Sequence, residues 1–307
     1  MWGRGLGPAP AFYAEAVSAV RLGTCSWADE GLVKVWYPKG VRSAEERLRY
    51  YAERFDTVEV DSPFYRLPSP ETSARWAERT PDGFVFHAKA SKEMTLHEET
   101  ESLERAVHEF RASLAPLEDA GKLRGVLLQY HPRFVKSRAA KESLHGLADL
   151  LAPLVPLIEF RHRSWMEEDE RADTLAFLER ERLAYVSVDS PRTRASNVMP
   201  RIAAATHEVA YVRFHGRNWK TWNKRTRTSG ERFDWLYTRE DLEEWVEPLA
   251  ELARGHEVYA LMNNNRYDYA PRSAQVLRGL LEQAGVEVRG AVEPAEAQAE
   301  TRPATLF

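Results

Sequence analysis

Short runs rich in β-branched and aromatic residues recur along the chain, bounded by turn residues and generally followed by a segment of helical periodicity. Eight of them predict strands at residues 20–25, 57–61, 84–89, 125–131, 157–161, 185–189, 209–215 and 257–263. Most are roughly thirty residues apart, the length of a strand-plus-helix unit. Ser43 with Glu46 reads as a capping box for a helix over 44–54, Ser69-Pro70 as an N-cap followed by proline at the first helical position, and Thr238 with Asp241 as another helix start. Gly121, Gly255 and Gly285 stand where helices are expected to end in a left-handed residue. Residues 190–208 hold Pro191 and Pro200 and no clear apolar face, so irregular structure is expected to replace or shorten the helix after the sixth strand.

Eight such units predict an α/β protein built as a single TIM-type (β/α)8 barrel over residues 20–289, rather than an open doubly wound sheet. No G-x-G-x-x-G follows any strand. Residues 1–19 read as an N-terminal extension, and 290–307, rich in Ala, Glu and Pro, as a disordered tail.

Side chains two apart on a strand share a face, and in successive strands one face is apolar while the other turns polar toward its C-terminal end. That polar face carries Glu59; His87 and Lys89; Gln129 and His131; Glu159 and Arg161; Tyr185, Ser187 and Asp189; Tyr211, Arg213 and His215; and Asn263. In this fold the C-terminal ends of the strands form the active-site mouth, and so many ionisable groups are costly to bury unless they pair or meet a ligand. Glu59, Lys89, Glu159, His215 and Asp189 are therefore the catalytic candidates, with His87, Gln129, Arg161, Arg213, Asn263 and Asn264 as substrate-binding candidates.

Composition narrows the picture. The 307 residues, 43% hydrophobic and 29% charged, suit a globular protein, and 43 Lys+Arg against 47 Asp+Glu exclude a polycation. Charge is nonetheless segregated: residues 213–232 hold seven basic residues and one acidic, leaving −10 on the rest of a chain of net charge −4. Trp219 and Trp222 lie in that segment among Arg217, Lys220, Lys224, Arg225 and Arg227, pairing flat stacking surfaces with phosphate-contacting charges. An anionic small molecule or a single-stranded nucleic acid is the expected partner. The single cysteine, Cys25, excludes an intramolecular disulfide, and it ends the first strand, where a nucleophile with His87 or His131 as base is conceivable. No stretch approaches the roughly 18 apolar residues of a membrane span. Glu15 interrupts the best apolar window near the N-terminus, so no membrane association and a cytoplasmic location are expected. No cofactor is predicted, although a divalent metal on Glu59, His87, Glu159, Asp189 or His215 is conceivable, with Lys89, Arg161 and Arg213 opposing it.

At these same residues the sequence resembles the YecE-like family, the domain of unknown function 72, over about residues 21–285. The resemblance lies in GTCSW (23–27), FDTVEVDSPFYRLPSPET (55–72), FHAKASKEMTLHE (86–98), LLQYHPRF (127–134), EFRHRSW (159–165), VRFHGR (212–217) and MNNNRYDYAPRSA (262–274). It implies a TIM-type barrel with these motifs at its mouth, carries no agreed reaction, and adds Tyr65, Trp165 and Gly216 to the substrate-binding candidates. The chain departs from the family's usual pattern at Cys25-Ser26 and at His131. An enzyme acting on a phosphate-bearing substrate by acid–base chemistry is the leading functional expectation. A sugar or sugar-phosphate isomerase and a non-catalytic anion or nucleic-acid binding module are the alternatives.

Overall fold

The computed structural model describes residues 18–292, apart from Arg225, Arg227 and the Ser229 side chain. The expected N-terminal extension up to residue 17, and the tail from 293 onward, lie outside the described residues. Eight parallel strands, β1 (Val20–Thr24), β2 (Thr57–Val60), β3 (Val85–Lys89), β4 (Leu123–Gln129), β5 (Val155–Glu159), β6 (Ala184–Asp189), β7 (Val209–Phe214) and β8 (Glu257–Met262), pair in chain order. β1 then pairs with both β8 and β2, which closes the barrel. All eight sequence-predicted strands are present. The β1–β2 seam is narrow, with the single register pair Thr24↔Val58, and a short ninth strand, β9 (Val288–Arg289), runs parallel to β1 at Val20 and Arg21.

The sequence pattern did not anticipate β9, and it set the start of the tail too early. Ala291 is buried, Val292 N donates to Arg54 O at 3.0 Å, and Gly290 has φ +77 with Leu22 O 2.3 Å from an ideal Cβ, so residues 290–292 pack against the barrel.

Helices follow the strands where the caps predict them. Ser43 and Thr238 both make reciprocal capping boxes, for helices Ala44–Ala52 and Arg239–Glu243, and Ser69 caps Pro70–Glu78. Gly121 and Gly285 adopt the expected left-handed conformation, whereas Gly255 does not, because the helix Val246–Ala253 ends in right-handed backbone at Arg254. After β6 there is no helix, as the prolines foretell; residues 190–208 run irregularly across the outside of the barrel. Among the described residues no helix is long and apolar enough to cross a membrane.

The strand registers divide inward from outward. Glu59↔His87, Gln129↔Glu159, Tyr211↔Tyr259 and Arg213↔Leu261 are laterally paired and point into the barrel. Val186↔Tyr211 and Val188↔Arg213 put Val186 and Val188 of β6 on that inner face. Asp189, expected in the mouth, therefore faces outward with Tyr185 and Ser187.

The interior is layered. At the N-terminal ends Arg21 pairs with Asp56, and Arg124 pairs with Glu208 and Glu257. Above them His87 packs edge-on between Tyr211 and Tyr259, with ring centroids 4.9 and 4.4 Å away. Gly125 makes room for that imidazole, since an added Cβ would lie 3.2 Å from His87 Nδ1. The layer above is the mouth.

Candidate active site at the barrel mouth

Arg213 is the hub of the mouth. It is fully buried, and its guanidinium donates from Nη2 to Glu59 Oε1 at 2.5 Å and from Nη1 to Glu159 Oε2 at 2.6 Å. One rigid fork thus holds carboxylates from β2 and β5 across the barrel. The Tyr211 hydroxyl donates to Glu59 Oε2 at 2.9 Å. Glu159 Oε1 accepts from Gln129 Nε2 at 2.8 Å and from His215 Nε2 at 2.9 Å, and Asn263 Nδ2 donates to His215 Nδ1 at 2.7 Å. These two bonds specify a neutral imidazole with its proton on Nε2.

The electrostatics separate the two carboxyls. Burial pushes Glu59 up to about 7; Arg213 opposes the rise and Asp61 adds to it. Burial also works to raise Glu159, but His215, Arg213 and Arg161 outweigh it and hold that carboxyl well below its ordinary value. Desolvation brings His215 down to about 4, against the pull of Glu159. Two carboxyls and a histidine are thus set with Glu59 able to exchange a proton near neutrality and Glu159 an anion.

Beside this pair lies a cationic corner. Lys89 Nζ sits 4.4 Å from the Phe64 ring centroid and makes no hydrogen bond or ion pair among the described residues. Arg161 reaches Glu159 at 3.7 Å, too long for a hydrogen bond, and its guanidinium lies 5.0 Å from the Trp222 ring. His97 packs 5.1 Å from Phe64 and 5.1 Å from His131. Burial and the charges of His131, Lys89 and Arg161 lower it to about 4. The Cys25 thiol is buried near Glu59 and Arg213, and desolvation with the Glu59 charge raises it well above its ordinary value, which disfavours a nucleophilic thiolate.

The structure therefore brings together Glu59, Lys89, Gln129, Glu159, Arg161, Arg213, His215 and Asn263, with Tyr65 exposed on the rim. Other candidates lie elsewhere. Asp189 points outward, where its carboxylate accepts from Arg217 Nε and Nη2, from the Tyr237 hydroxyl and from Trp245 Nε1. Arg217 is occupied by Asp189, Asp241 and Glu244. Gly216 has φ +82, and its N–H donates to the Tyr237 hydroxyl at 2.8 Å. Trp165 is buried in a stack with Phe160, 4.1 Å between centroids, and donates from Nε1 to Phe134 O. Asn264, next to inward Asn263, donates to Trp235 O and Ser273 Oγ. His87 lies below the mouth among the tyrosines, and burial takes it down to about 3.

Trp222 is buried against Phe233 and Val198 as part of a small apolar roof near His215, so it offers no open stacking face, while Trp219 is 63% exposed. Arg225 and Arg227 lie outside the described residues. His87 and Asp189 stand apart from the mouth carboxylates, and among the described residues no three His, Cys, Asp or Glu form a metal-holding group. His97 was not among the sequence-based candidates, and Asp61, on the face of Glu59 in the strand predicted over 57–61, and Tyr211 were left out of the site. For Tyr211 the signal was present, since it shares a face with Arg213 and His215.

A family model described as "Protein of unknown function DUF72" matches residues 21–299. The chain is 30% identical over 280 residues to UPF0759 protein YunF of Bacillus subtilis, covering 88% of this chain and 98% of that protein. It is also 30% identical to UPF0759 protein YecE of Escherichia coli K12, over 145 residues and about half of that protein. Among solved structures, a DUF72 family protein from Enterococcus faecalis superposes with TM-score 0.77 at 25% identity, covering 86% of this chain and 95% of that one. One from Thermotoga maritima gives TM-score 0.75 at 29% identity, covering 86% and 99%.

Proposed function

The chain belongs to the DUF72 family, whose description names no reaction, and from that premise we propose that the barrel mouth is the active site of an enzyme doing acid–base chemistry on a phosphate-bearing small molecule. The observation that carries this reading is a proton-exchanging Glu59 close to a lysine whose ammonium makes no hydrogen bond or ion pair among the described residues. The Lys89 stem is buried while its ammonium makes no hydrogen bond or ion pair among the described residues, and a substrate anion supplies the missing partner. Lys89 and Arg161 receive the phosphate, and Glu59 exchanges a proton with the bound molecule. Tyr211 assists because its hydroxyl can donate to the Glu59 carboxylate or accept from the carboxylic acid. Glu159 stays ionised and, with Asn263, fixes the His215 tautomer. The buried Trp222 favours a small molecule over a base-stacked strand as the substrate.

The test is turnover on a panel of phosphomonoesters, sugar phosphates, phosphodiesters and a short single-stranded oligonucleotide, with Glu59→Gln and Lys89→Met alongside the parent. Glu59→Gln is expected to lower kcat by about 100-fold or more. It should also remove from the kcat/KM profile the limb near pH 7 that Glu59 imposes. Lys89→Met should act chiefly on KM. Binding of phosphate without turnover of any panel member would favour a binding module, and absence of both would overturn the reading.

A further inference from the structure

A cavity of about 510 Å³ opens at the same end of the barrel between the segments that follow β1, β2, β7 and β8. Asp29, Lys34, Tyr65, Asn265, Arg266 and Tyr267 are among its walls, and its size is that of an ordinary small-molecule site. Its Tyr65 wall adjoins the mouth, since the Tyr65 ring lies 5.1 Å from the Phe64 ring, which in turn lies 4.4 Å from Lys89 Nζ. Asp61 Oδ1 is shut away from solvent with no hydrogen-bond partner among the described residues.

The wall chemistry does not suit a second phosphate. Lys34 is paired with Glu30, and Arg266 lies 3.8 Å from Asp234 and stacks 4.7 Å from the Tyr267 ring. Asp29 is hydrogen-bonded by Asn265 and Ser26, and burial together with Asp61 raises it to about 7, so near neutrality it both donates and accepts. Tyr65 is 72% exposed and presents an open aromatic face. The opposite wall is fixed in place. Tyr267 adopts φ +50, unusual for a tyrosine, and its backbone N would lie 2.6 Å from a Cβ on Gly31, so glycine there lets the two segments meet. Walls that carry three carboxyls (Asp29, Glu30, Glu231) against two cations (Lys34, Arg266), mixed donors and acceptors and a flat ring match an uncharged, polyhydroxylated group.

We propose that this cavity is the sugar subsite of the mouth, holding the ring of a sugar phosphate against Tyr65, Asp29 and Asn265 while Lys89 and Arg161 hold its phosphate. The assignment rests on the functional reading above and gives it a substrate class.

Calorimetric titration of the full chain with inorganic phosphate, ribose 5-phosphate and fructose 6-phosphate tests it. At least one sugar phosphate should bind about tenfold or more tighter than inorganic phosphate, a difference of ~1.4 kcal/mol. Tyr65→Ala should erase that advantage and leave inorganic phosphate binding unchanged, while Tyr65→Phe, which keeps the ring, retains it. Sugar phosphates that bind no tighter than phosphate, or an advantage that survives Tyr65→Ala, would overturn the subsite and leave the phosphate reading standing, provided Lys89→Met weakens phosphate. If the parent chain binds neither phosphate nor sugar phosphate, the functional reading falls and the subsite with it.

Discussion

Glu59 and His215 leave opposite marks on stability, and the signs separate them. The folded pKa of Glu59, about 7, lies above its ordinary 4.5, so between those values the native state binds more protons than the unfolded one. Stability from this group falls as pH rises through that window, by up to about 3 kcal/mol. His215, brought down from 6.5 to about 4, binds fewer protons when folded and adds stability as pH rises from 4 to 6.5. His87 and His97 act with the same sign as His215. The parent's own pH profile therefore mixes opposed contributions, and a difference measurement isolates one. The melting temperature of Glu59→Gln minus that of the parent should grow more positive from pH 5 to pH 8, because the variant lacks the charge the parent must bury. A flat difference would mean that Glu59 ionises normally, and a falling one that folding lowers its pKa instead of raising it. Individual site residues were legible wherever charge and strand alternation coincided, as at Glu59, Glu159 and Arg213. His97 lies on a segment that follows a strand, where alternation does not apply, whereas Asp61 shares the face of Glu59 in the strand predicted over 57–61, which in the structure stops at Val60.

The strand β6 shows where alternation misleads. Its inward face is Ala184, Val186 and Val188, and its polar face looks outward because residues 190–208, not a helix, cover it. Irregular backbone brings polar groups that need partners. Ser187 Oγ accepts from Ala204 N, and Thr206 Oγ1 accepts from Tyr185 N. The prolines that reveal the missing helix thus also announce a polar outer face, a connection that strand-by-strand reading misses. Asp189 belongs to this outer layer, so Asp189→Ala should destabilise by ~3 kcal/mol or more in urea unfolding, because it leaves the Arg217, Tyr237 and Trp245 donors without their shared acceptor. Two left-handed glycines, one after β7 and one after the last helix, separate by their surroundings. Gly216→Ala meets both a left-handed backbone and Trp235 Cβ 2.7 Å from the new methyl, whereas Gly285→Ala meets a left-handed backbone with nothing within 4 Å. Each carries ~1–2 kcal/mol of conformational strain, and Gly216→Ala should lose roughly 1–3 kcal/mol beyond that by overpacking. Equal urea midpoints for the two variants would show that Trp235 moves aside freely.

Across the whole molecule the barrel carries two charge networks separated by a layer of rings, and their construction differs. At the N-terminal end Arg21 pairs with Asp56, and Arg124 with Glu208 and Glu257. At the C-terminal end Glu59 and Glu159 converge on Arg213, while Lys89 is left over a phenyl ring. A lysine whose stem is buried but whose ammonium makes no hydrogen bond or ion pair contributes little to stability, and an apolar side chain of similar length fits the same space. Replacement at the two ends should therefore dissociate. Arg124→Met is expected to lower stability modestly, by about 1 kcal/mol because its ion pairs are partly exposed, and to leave phosphate binding at the far end unchanged. Lys89→Met is expected to hold or raise the melting temperature while weakening phosphate at least tenfold. Thermal melts and phosphate titrations on the two variants read both quantities. A destabilised Lys89→Met with unchanged phosphate affinity would place Lys89 with the structural charges and remove the main support for an anion at the mouth.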